Sequence, residues 1–172
     1  MVDVNKVIIK DDTLVVDFKD EKGSFKMSVN TTGENEPSPD LFVSIRKMID
    51  IFAYRMDLEA KRDSLTVLGL ESGRDQRGLW FRIHGSYTAH TLEHKVATGK
   101  LREIIYYPGD YDEQGNLIDI SSPEREEELV SEYPSLLTED EHGILIDCLA
   151  EAQAFVGGKR LQKQFEFEED AP

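Results

Sequence analysis

Three short apolar runs separated by brief polar turns open the chain, and they constrain its fold more than any other feature. The runs are Val4–Lys10, Thr13–Lys19 and Ser24–Val29. They are rich in Val, Ile and Phe, which favour strands, and the breaks at residues 11–12 and 21–23 are polar. Within the second and third runs apolar and polar residues alternate, which suits a sheet with one face in water. We therefore predict an antiparallel meander of three strands.

Helix signals appear at three later points. Ser38, Pro39 and Asp40 suit a capped helix start, and apolar residues at helical spacing then predict one long amphipathic helix over Asp40–Leu58. A short acidic helix is expected at Pro123–Ser131. Thr138 and Glu141 fit a capping box, which predicts a second long helix over Glu139–Val156.

Further strands are indicated between these helices. Leu65–Leu70 and Gly78–Tyr87 are expected as the fourth and fifth strands, with Glu71–Arg77 as the turn between them. Leu101–Tyr107 is a candidate sixth strand, and Ala89–Lys100 has no clear pattern. The expected fold is therefore α+β, an antiparallel sheet of five to six strands with two long helices packed on one face.

The charge is unevenly distributed along the chain. Lys and Arg number 20 against 35 Asp and Glu, which gives a net charge of −15. Residues 1–102 are balanced, so the excess lies entirely in residues 103–172. This charge argues against direct binding to nucleic acid or to an anionic membrane. We expect a single α+β domain over residues 1–158 and an acidic C-terminal tail over residues 159–172.

The lone cysteine, Cys148, excludes an intramolecular disulfide and a cysteine-rich zinc site. Its place among apolar residues of the last helix predicts a buried, inert thiol. No segment resembles a signal peptide or a run of about 20 apolar residues. We therefore expect a cytoplasmic protein, and no cofactor is indicated.

One short pattern suggests metal chemistry. His90, Glu93 and His94 satisfy H-x-x-E-H. On a helix the two histidines would share a face and could bind zinc, with Glu93 polarising a bound water. However, Tyr87 and Thr91 favour a strand or loop around the pattern. A zinc-dependent hydrolase is thus an alternative that needs a helix at this position.

An acidic face is a second candidate for function. Its members are the exposed carboxylates expected on the short helix: Glu124, Glu126, Glu127 and Glu128. Such a face could imitate DNA and occupy the groove of a nucleic-acid-binding protein. The same residues could equally form an ordinary solvated surface.

The C-terminal segment carries two phenylalanines in an acidic context. Leaving Phe165 and Phe167 in water costs roughly 1.5–3 kcal/mol each relative to burial. The hexapeptide from Gln162 to Phe167 resembles the clamp-binding peptide of bacterial replication and repair proteins, in which a Gln precedes spaced Leu or Phe anchors. Here Phe165 stands where Leu is commoner. The alternative is a last strand at the sheet edge, with both rings on one side.

A wider resemblance rests on residues 37–40 before the first helix, on Leu65–Leu70, on the following strand and on the run from Gly157 to Gln162. Together they resemble a family of small bacteriophage proteins of uncharacterised activity. The resemblance implies a phage-encoded accessory factor in the cytoplasm of a bacterial host. It includes no catalytic signature.

These observations favour a non-enzymatic accessory protein. In this interpretation Gln162, Phe165 and Phe167 bind a protein partner of DNA metabolism, such as the bacterial sliding clamp, since a few buried aromatic side chains dominate most interfaces. The acidic inhibitor and the zinc hydrolase remain the alternatives.

Overall fold

A computed structural model describes residues 2–33, 35–104, 113–115 and 123–160 of the 172-residue chain. The strands are β1 (Asp3–Lys10), β2 (Thr13–Asp20), β3 (Gly23–Asn30), β4 (Leu65–Asp75), β5 (Gly78–Ala89), β6 (Leu92–Ala97), β7 (Arg102–Glu103) and β8 (Leu136–Leu137). The α-helices are α1 (Pro39–Arg46), α2 (Ile49–Arg55), α3 (Pro123–Glu132) and α4 (Glu139–Val156). A 3-10 helix at Glu59–Ser64 leads into β4.

The main sheet has six antiparallel strands in the order β3-β2-β1-β4-β5-β6. It consists of two meanders, β1–β3 and β4–β6, which join where β1 pairs with β4. The predicted α+β class, the antiparallel sheet and the opening meander are confirmed. The small second sheet pairs β7 with β8 in parallel.

The hairpin between β4 and β5 is tighter than predicted. Residues Glu71–Arg77 were expected to form a turn, but β4 continues to Asp75 and only Gln76 and Arg77 form the turn. The Asp75 carboxylate accepts the backbone N–H of Arg77 at 2.9 Å and pairs with Arg102. These contacts hold the end of the hairpin and allow the strands to extend.

The sixth strand of the main sheet is β6, which lies in the segment without a clear sequence pattern. The expected strand Leu101–Tyr107 is wrong in its described part, where Leu101 forms an isolated bridge with Phe81 and only residues 102–103 form β7. The turn before β6 explains why it escaped prediction. His90 and Thr91 have φ of 52° and 66°, a left-handed conformation that sequences usually mark with Gly or Asn.

The predicted long helix Asp40–Leu58 is also wrong in its length, because it divides into α1 and α2 near Lys47 and Met48. The Ser38 cap is present, since its hydroxyl accepts the N–H of Asp40 at 3.3 Å. The apolar spacing continues across the break, and this is why the sequence showed no interruption. Among the four α-helices described, only α4 is long, and its predicted bounds are confirmed.

The core lies between the helices and one face of the sheet. It includes Val16, Leu70 and Ile83 from the strands, and Phe52 and Phe155 from the helices. Gly85 in β5 is required here, because a Cβ at that position would lie 2.6 Å from the Phe52 ring. Each fully buried side chain of this size contributes roughly 1.5–3 kcal/mol. Within the described residues, no helix combines the length and apolar character needed to cross a membrane.

Candidate interaction surface

Helix α3 carries a stripe of exposed carboxylates. Val130 is its buried residue and faces the body of the protein. Glu124, Glu127 and Glu128 are exposed, and they neighbour one another because residues three and four apart share one face of a helix. Glu132 continues this stripe by another turn. Of the four residues predicted to form an exposed acidic face, Glu124, Glu127 and Glu128 are exposed and Glu126 is half-buried.

The first turn of α4 adds two more exposed carboxylates, Glu139 and Asp140. Between the two helices lies Glu126, which is half-buried and accepts the backbone N–H of Glu139 at 3.3 Å. Glu126 thus connects α3 to the start of α4. We call the exposed carboxylates of both helices the acidic surface: Glu124, Glu127, Glu128, Glu132, Glu139 and Asp140.

A local capping arrangement fixes where α4 begins. The Thr138 hydroxyl accepts the N–H of Glu141 at 3.1 Å, and the Glu141 carboxylate accepts the N–H of Thr138 at 3.0 Å. This is the reciprocal capping box that the sequence predicted. The carboxylates of Glu139 and Asp140 also interact favourably with the positive end of the helix dipole.

Arg55 joins α2 to this region. Its side chain is 4% exposed, and it donates to Glu141 at 2.7 Å and to the carbonyl oxygens of Pro134 and Leu136. A buried guanidinium needs such partners, because an unpaired buried charge is very costly. Glu141 is therefore a structural carboxylate, in contrast to its exposed neighbours on the acidic surface.

On the acidic surface, the Arg125 guanidinium forms an ion pair with Glu128 at 3.1 Å. Both side chains are about half exposed or more, at 46% and 69%, so water screens the pair. In contrast, α3 and α4 together contain ten acidic side chains and only Arg125 as a basic one. The surface therefore has a strong local excess of negative charge.

Tyr133 lies at the end of α3 beside the acidic surface and is 51% exposed. It lines a cavity of about 490 Å³ together with Leu129, Leu136 and Arg102. Sequence reasoning missed this residue and also missed Glu139 and Asp140, because their grouping depends on how α3 packs against α4. An exposed Tyr is a common anchor at protein interfaces.

The opposite end of α4 is tied to α1. The Lys159 ammonium donates to Asp40 at 2.9 Å and to Glu151 at 3.0 Å. The hydrogen bond from Lys159 lowers the pKa of Asp40, and the carboxylates raise the pKa of Lys159. Arg160 then bridges to Pro37. The chain is thus fixed to the body up to Arg160.

The residues of the H-x-x-E-H pattern form a β-hairpin and no helix. His90 lies in the turn, and Glu93 and His94 are consecutive in β6, so their side chains point to opposite faces. The His94 ring stacks on Tyr87 with centroids 4.9 Å apart. Across the described part of the chain, no three His, Cys, Asp or Glu side chains are grouped so as to hold a metal ion. The geometry that the zinc hypothesis needs is not formed by these three residues.

Cys148 is buried on the inner side of α4. Burial raises the pKa of its thiol to about 12, although Ser44 lies within hydrogen-bond reach. A thiol with this pKa is not ionised at neutral pH and is a poor nucleophile. The prediction that Cys148 is buried is confirmed.

The predicted partner-binding residues Gln162, Phe165 and Phe167 lie outside the described residues. Comparison of the chain with protein-family models, with curated proteins and with solved structures gave no match.

Proposed function

We propose that this chain is a non-enzymatic accessory protein that binds a protein of DNA metabolism and occupies its basic nucleic-acid-binding groove. The observation that carries the proposal is the acidic surface, formed by exposed carboxylates of α3 and of the first turn of α4, two helices whose one Lys or Arg is Arg125. Nucleic-acid-binding grooves are lined by Lys and Arg that contact phosphates. A fixed array of carboxylates is complementary to such a groove.

The geometry of α3 supports this assignment. Successive carboxylates on one helical face, such as Glu124 and Glu128, are separated by about one turn, roughly 5.4–6 Å. They therefore form a regular row of negative charges along the helix. Tyr133 adds a large, half-exposed ring at the end of the row. A charged row steers the partner, and an aromatic side chain supplies contact area.

Immobilised full-length chain can test this proposal by capture from a bacterial lysate. We expect basic nucleic-acid-binding proteins to be retained and to be released when salt rises from about 50 to 200 mM, because screening weakens contacts between exposed charges. A short duplex DNA should displace the same proteins, since it competes for the groove. Retention that resists both treatments would contradict the proposal.

A triple variant identifies the surface responsible. Glu124→Gln, Glu127→Gln and Glu128→Gln together should reduce capture by about tenfold or more, because each removes a charge from the row. The matched control neutralises three exposed carboxylates elsewhere: Asp12→Asn, Glu21→Gln and Asp63→Asn. If the control weakens capture equally, net charge rather than the acidic surface is responsible.

The C-terminal motif supports a second candidate mode of binding to a DNA-metabolism protein such as the sliding clamp. Gln162, Phe165 and Phe167 follow Arg160, the last described residue, at the end of α4 remote from the acidic surface. With 18 residues, α4 is about 27 Å long, so the last described residue, Arg160, and the first turn of α4 lie at opposite ends of this helix.

Binding through the C-terminal phenylalanines can be distinguished from binding through the acidic surface by how it depends on salt concentration. Capture through the phenylalanines should persist at about 200 mM salt, since burial of apolar rings is little affected by screening. Phe165→Ala with Phe167→Ala should abolish it, whereas Gln164→Ala with Glu166→Ala should not. We propose that either mode operates in the cytoplasm of a bacterial host, as the resemblance to phage proteins implies.

A further inference from the structure

The outer edge of β3 has no strand partner within the described residues. β3 is the terminal strand of the main sheet, runs for eight residues and contains no proline. Its register with β2 is regular throughout, so no bulge interrupts it. Six of its eight residues are exposed, and Lys26 is the one charged residue among them. A long edge with no bulge and so little charge is a template for pairing with another strand.

The β2–β3 hairpin determines which backbone groups point outward from this edge. Asp20 and Gly23 flank a two-residue turn and therefore form a hydrogen-bonded pair. Hydrogen-bonded and non-hydrogen-bonded pairs then alternate, and the N–H of Thr31 donates to the Asp12 carbonyl at 2.8 Å in agreement with this alternation. The residues whose N–H and C=O point away from β2 are Ser24, Lys26, Ser28 and Asn30.

We propose that a second copy of this chain pairs with this edge, β3 against β3, in an antiparallel dimer whose two-fold axis passes through Met27. In this register Lys26 lies opposite Ser28 of the second copy, and Ser24 lies opposite Asn30 of the second copy. Every outward backbone group then has a partner, because all the residues with outward groups pair with one another. The two main sheets become one continuous sheet.

The residue pattern of β3 favours this register over its neighbours. Apolar residues at positions 25, 27 and 29 and polar residues at positions 24, 26, 28 and 30 are symmetric about Met27. An axis through Lys26 would place two ammonium groups directly opposite each other and would leave Asn30 unpaired. Like charges directly opposite across strands are destabilising.

The same dimer covers exposed apolar surface on the helix-bearing face. Phe25 is 43% exposed and stacks on Phe18 with ring centroids 5.7 Å apart, and Met27 and Val29 are half-buried beside them. Around the two-fold axis, Phe25 meets Val29 of the second copy and Met27 meets its own equivalent. The interface is small for a protein dimer, so we expect association to depend on concentration.

A single cysteine variant tests the position of the axis. Residues in a non-hydrogen-bonded pair have Cα atoms about 4.5 Å apart, which a disulfide can span. Met27→Cys should therefore form a covalent dimer on mild oxidation. Val29→Cys is the matched control and should not, because it lies opposite Phe25 of the second copy. The native Cys148 is buried with a thiol pKa of about 12 and should give no background. Equal cross-linking of both variants would overturn the proposal.

A proline at an outward position tests the edge itself. Ser28→Pro removes an N–H that points away from β2, so it leaves the chain fold intact but blocks the dimer. In sedimentation velocity, the wild-type chain should approach twice its mass of 19.6 kDa as its concentration rises, and Ser28→Pro should raise the dissociation constant about thirtyfold or more. Lys95→Pro, at an outward position of the other edge strand β6, should leave the constant unchanged.

Two results would overturn the dimer. One is a wild-type chain that stays monomeric at about 0.5 mM, a concentration that populates even weak pairs. If removal of residues 161–172 then permitted association, the chain's own C-terminal segment would be the occupant of the β3 edge. The other is loss of the dimer in Lys95→Pro but not in Ser28→Pro, which would assign the contact to β6.

Discussion

The outer face of the sheet and the acidic surface arrange their charges in opposite ways. Across five strands of the sheet, directly opposed residues form a row of alternating sign: Lys26, Asp17, Lys6, Glu71 and Arg82. Lys26 lies 3.9 Å from Asp17, and Arg82 lies 3.5 Å from Glu71. On α3, in contrast, successive carboxylates face the same side with one neighbouring Arg125.

This difference separates charges that stabilise the fold from charges that do not. The alternating row stabilises strand pairing, because opposite charges across strands contribute roughly 0.2–1 kcal/mol each. The acidic row on α3 gives no such benefit, since like charges one turn apart repel. The stability of the fold therefore accounts for the charges of the sheet and for the first-turn carboxylates Glu124, Glu139 and Asp140. It does not account for Glu127, Glu128 and Glu132, and this is the physical reason to propose binding through the acidic surface.

The largest effect should follow from breaking the ion pair between Arg55 and Glu141, which lies beside the acidic surface. Arg55→Met removes the buried partner of Glu141 and the donor to two carbonyl oxygens. Loss of one partner of a buried ion pair typically costs about 3–5 kcal/mol, and we expect a decrease in this range in the free energy of unfolding, measured with urea.

Arg125→Met is the control for Arg55→Met. It removes the exposed pair with Glu128, which should contribute less than about 1 kcal/mol. Equal losses in the two variants would mean that Arg55 is no more buried in solution than Arg125, and that α4 is not held to α2 as described.

A reversal of charge within the alternating row should have the next largest effect. Lys6→Glu places a carboxylate between Asp17 and Glu71, which lie opposite it on the neighbouring strands. We expect a loss of about 1–2 kcal/mol in the free energy of unfolding, because two attractive pairs become repulsive. The loss should shrink in high salt, since screening weakens all of these contacts.

A reversal of charge on α3 is the control for Lys6→Glu. Glu132→Lys also reverses one charge, but it introduces a cation four residues after Glu128 in the last turn of α3, where the helix dipole favours a cation, and it should not destabilise the protein. A loss for Glu132→Lys as large as that for Lys6→Glu would show that the two regions do not differ as proposed.

How much the sequence could predict depends on whether a feature is local. The box of Thr138 and Glu141 lies within a few residues, so α4 was predicted. The acidic face of α3 is equally local, and its predicted members are exposed except for the half-buried Glu126. The alternating row was not predicted, because it depends on the pairing of β1 with β4, strands that are far apart in the sequence. Tyr133 was not predicted for a similar reason, because its place beside the acidic surface depends on tertiary packing.

Other errors in the prediction arose where the backbone adopts a conformation without the residues that usually mark it. β6 was missed because His90 and Thr91 adopt a left-handed turn without Gly or Asn. The division between α1 and α2 was missed because no Pro or Gly lies at Lys47 and Met48, and the apolar spacing continues through the break. In both cases tertiary packing of the flanking elements fixes a backbone conformation that local preference does not favour.

The ion pair between Asp75 and Arg102 allows a test of how the stability of the fold depends on pH. Its hydrogen bond from Arg102 holds the pKa of this carboxyl well below its ordinary value of 3.8. Because the folded-state pKa is lower than the unfolded one, the ionised carboxylate stabilises the fold above about pH 5, and this contribution is lost as pH falls below 3.8. Asp75→Asn should therefore lower Tm at neutral pH and show a shallower decline in acid than the wild type.

Asp63→Asn is the control for acid unfolding, since Asp63 is exposed. It should follow the wild-type profile of Tm against pH from about pH 7 down to 3. A wild-type profile as shallow as that of Asp75→Asn would contradict the pairing of Asp75 with Arg102 in the folded protein.

The smallest effect concerns the acidic surface and has the opposite sign. The triple variant Glu124→Gln, Glu127→Gln and Glu128→Gln removes repulsion between carboxylates one turn apart, such as Glu124 and Glu128, at the cost of the exposed pair of Glu128 with Arg125. Each repulsive pair costs roughly 0.2–0.5 kcal/mol, so we expect Tm to stay equal or to rise by about 1–2 °C at low salt. The same variant should lose capture of a basic partner. Stability and binding would then move in opposite directions, as expected for charges kept for a partner at the expense of the fold. A marked fall in Tm would instead mean that these carboxylates stabilise α3, and the distinction between the two regions would fail.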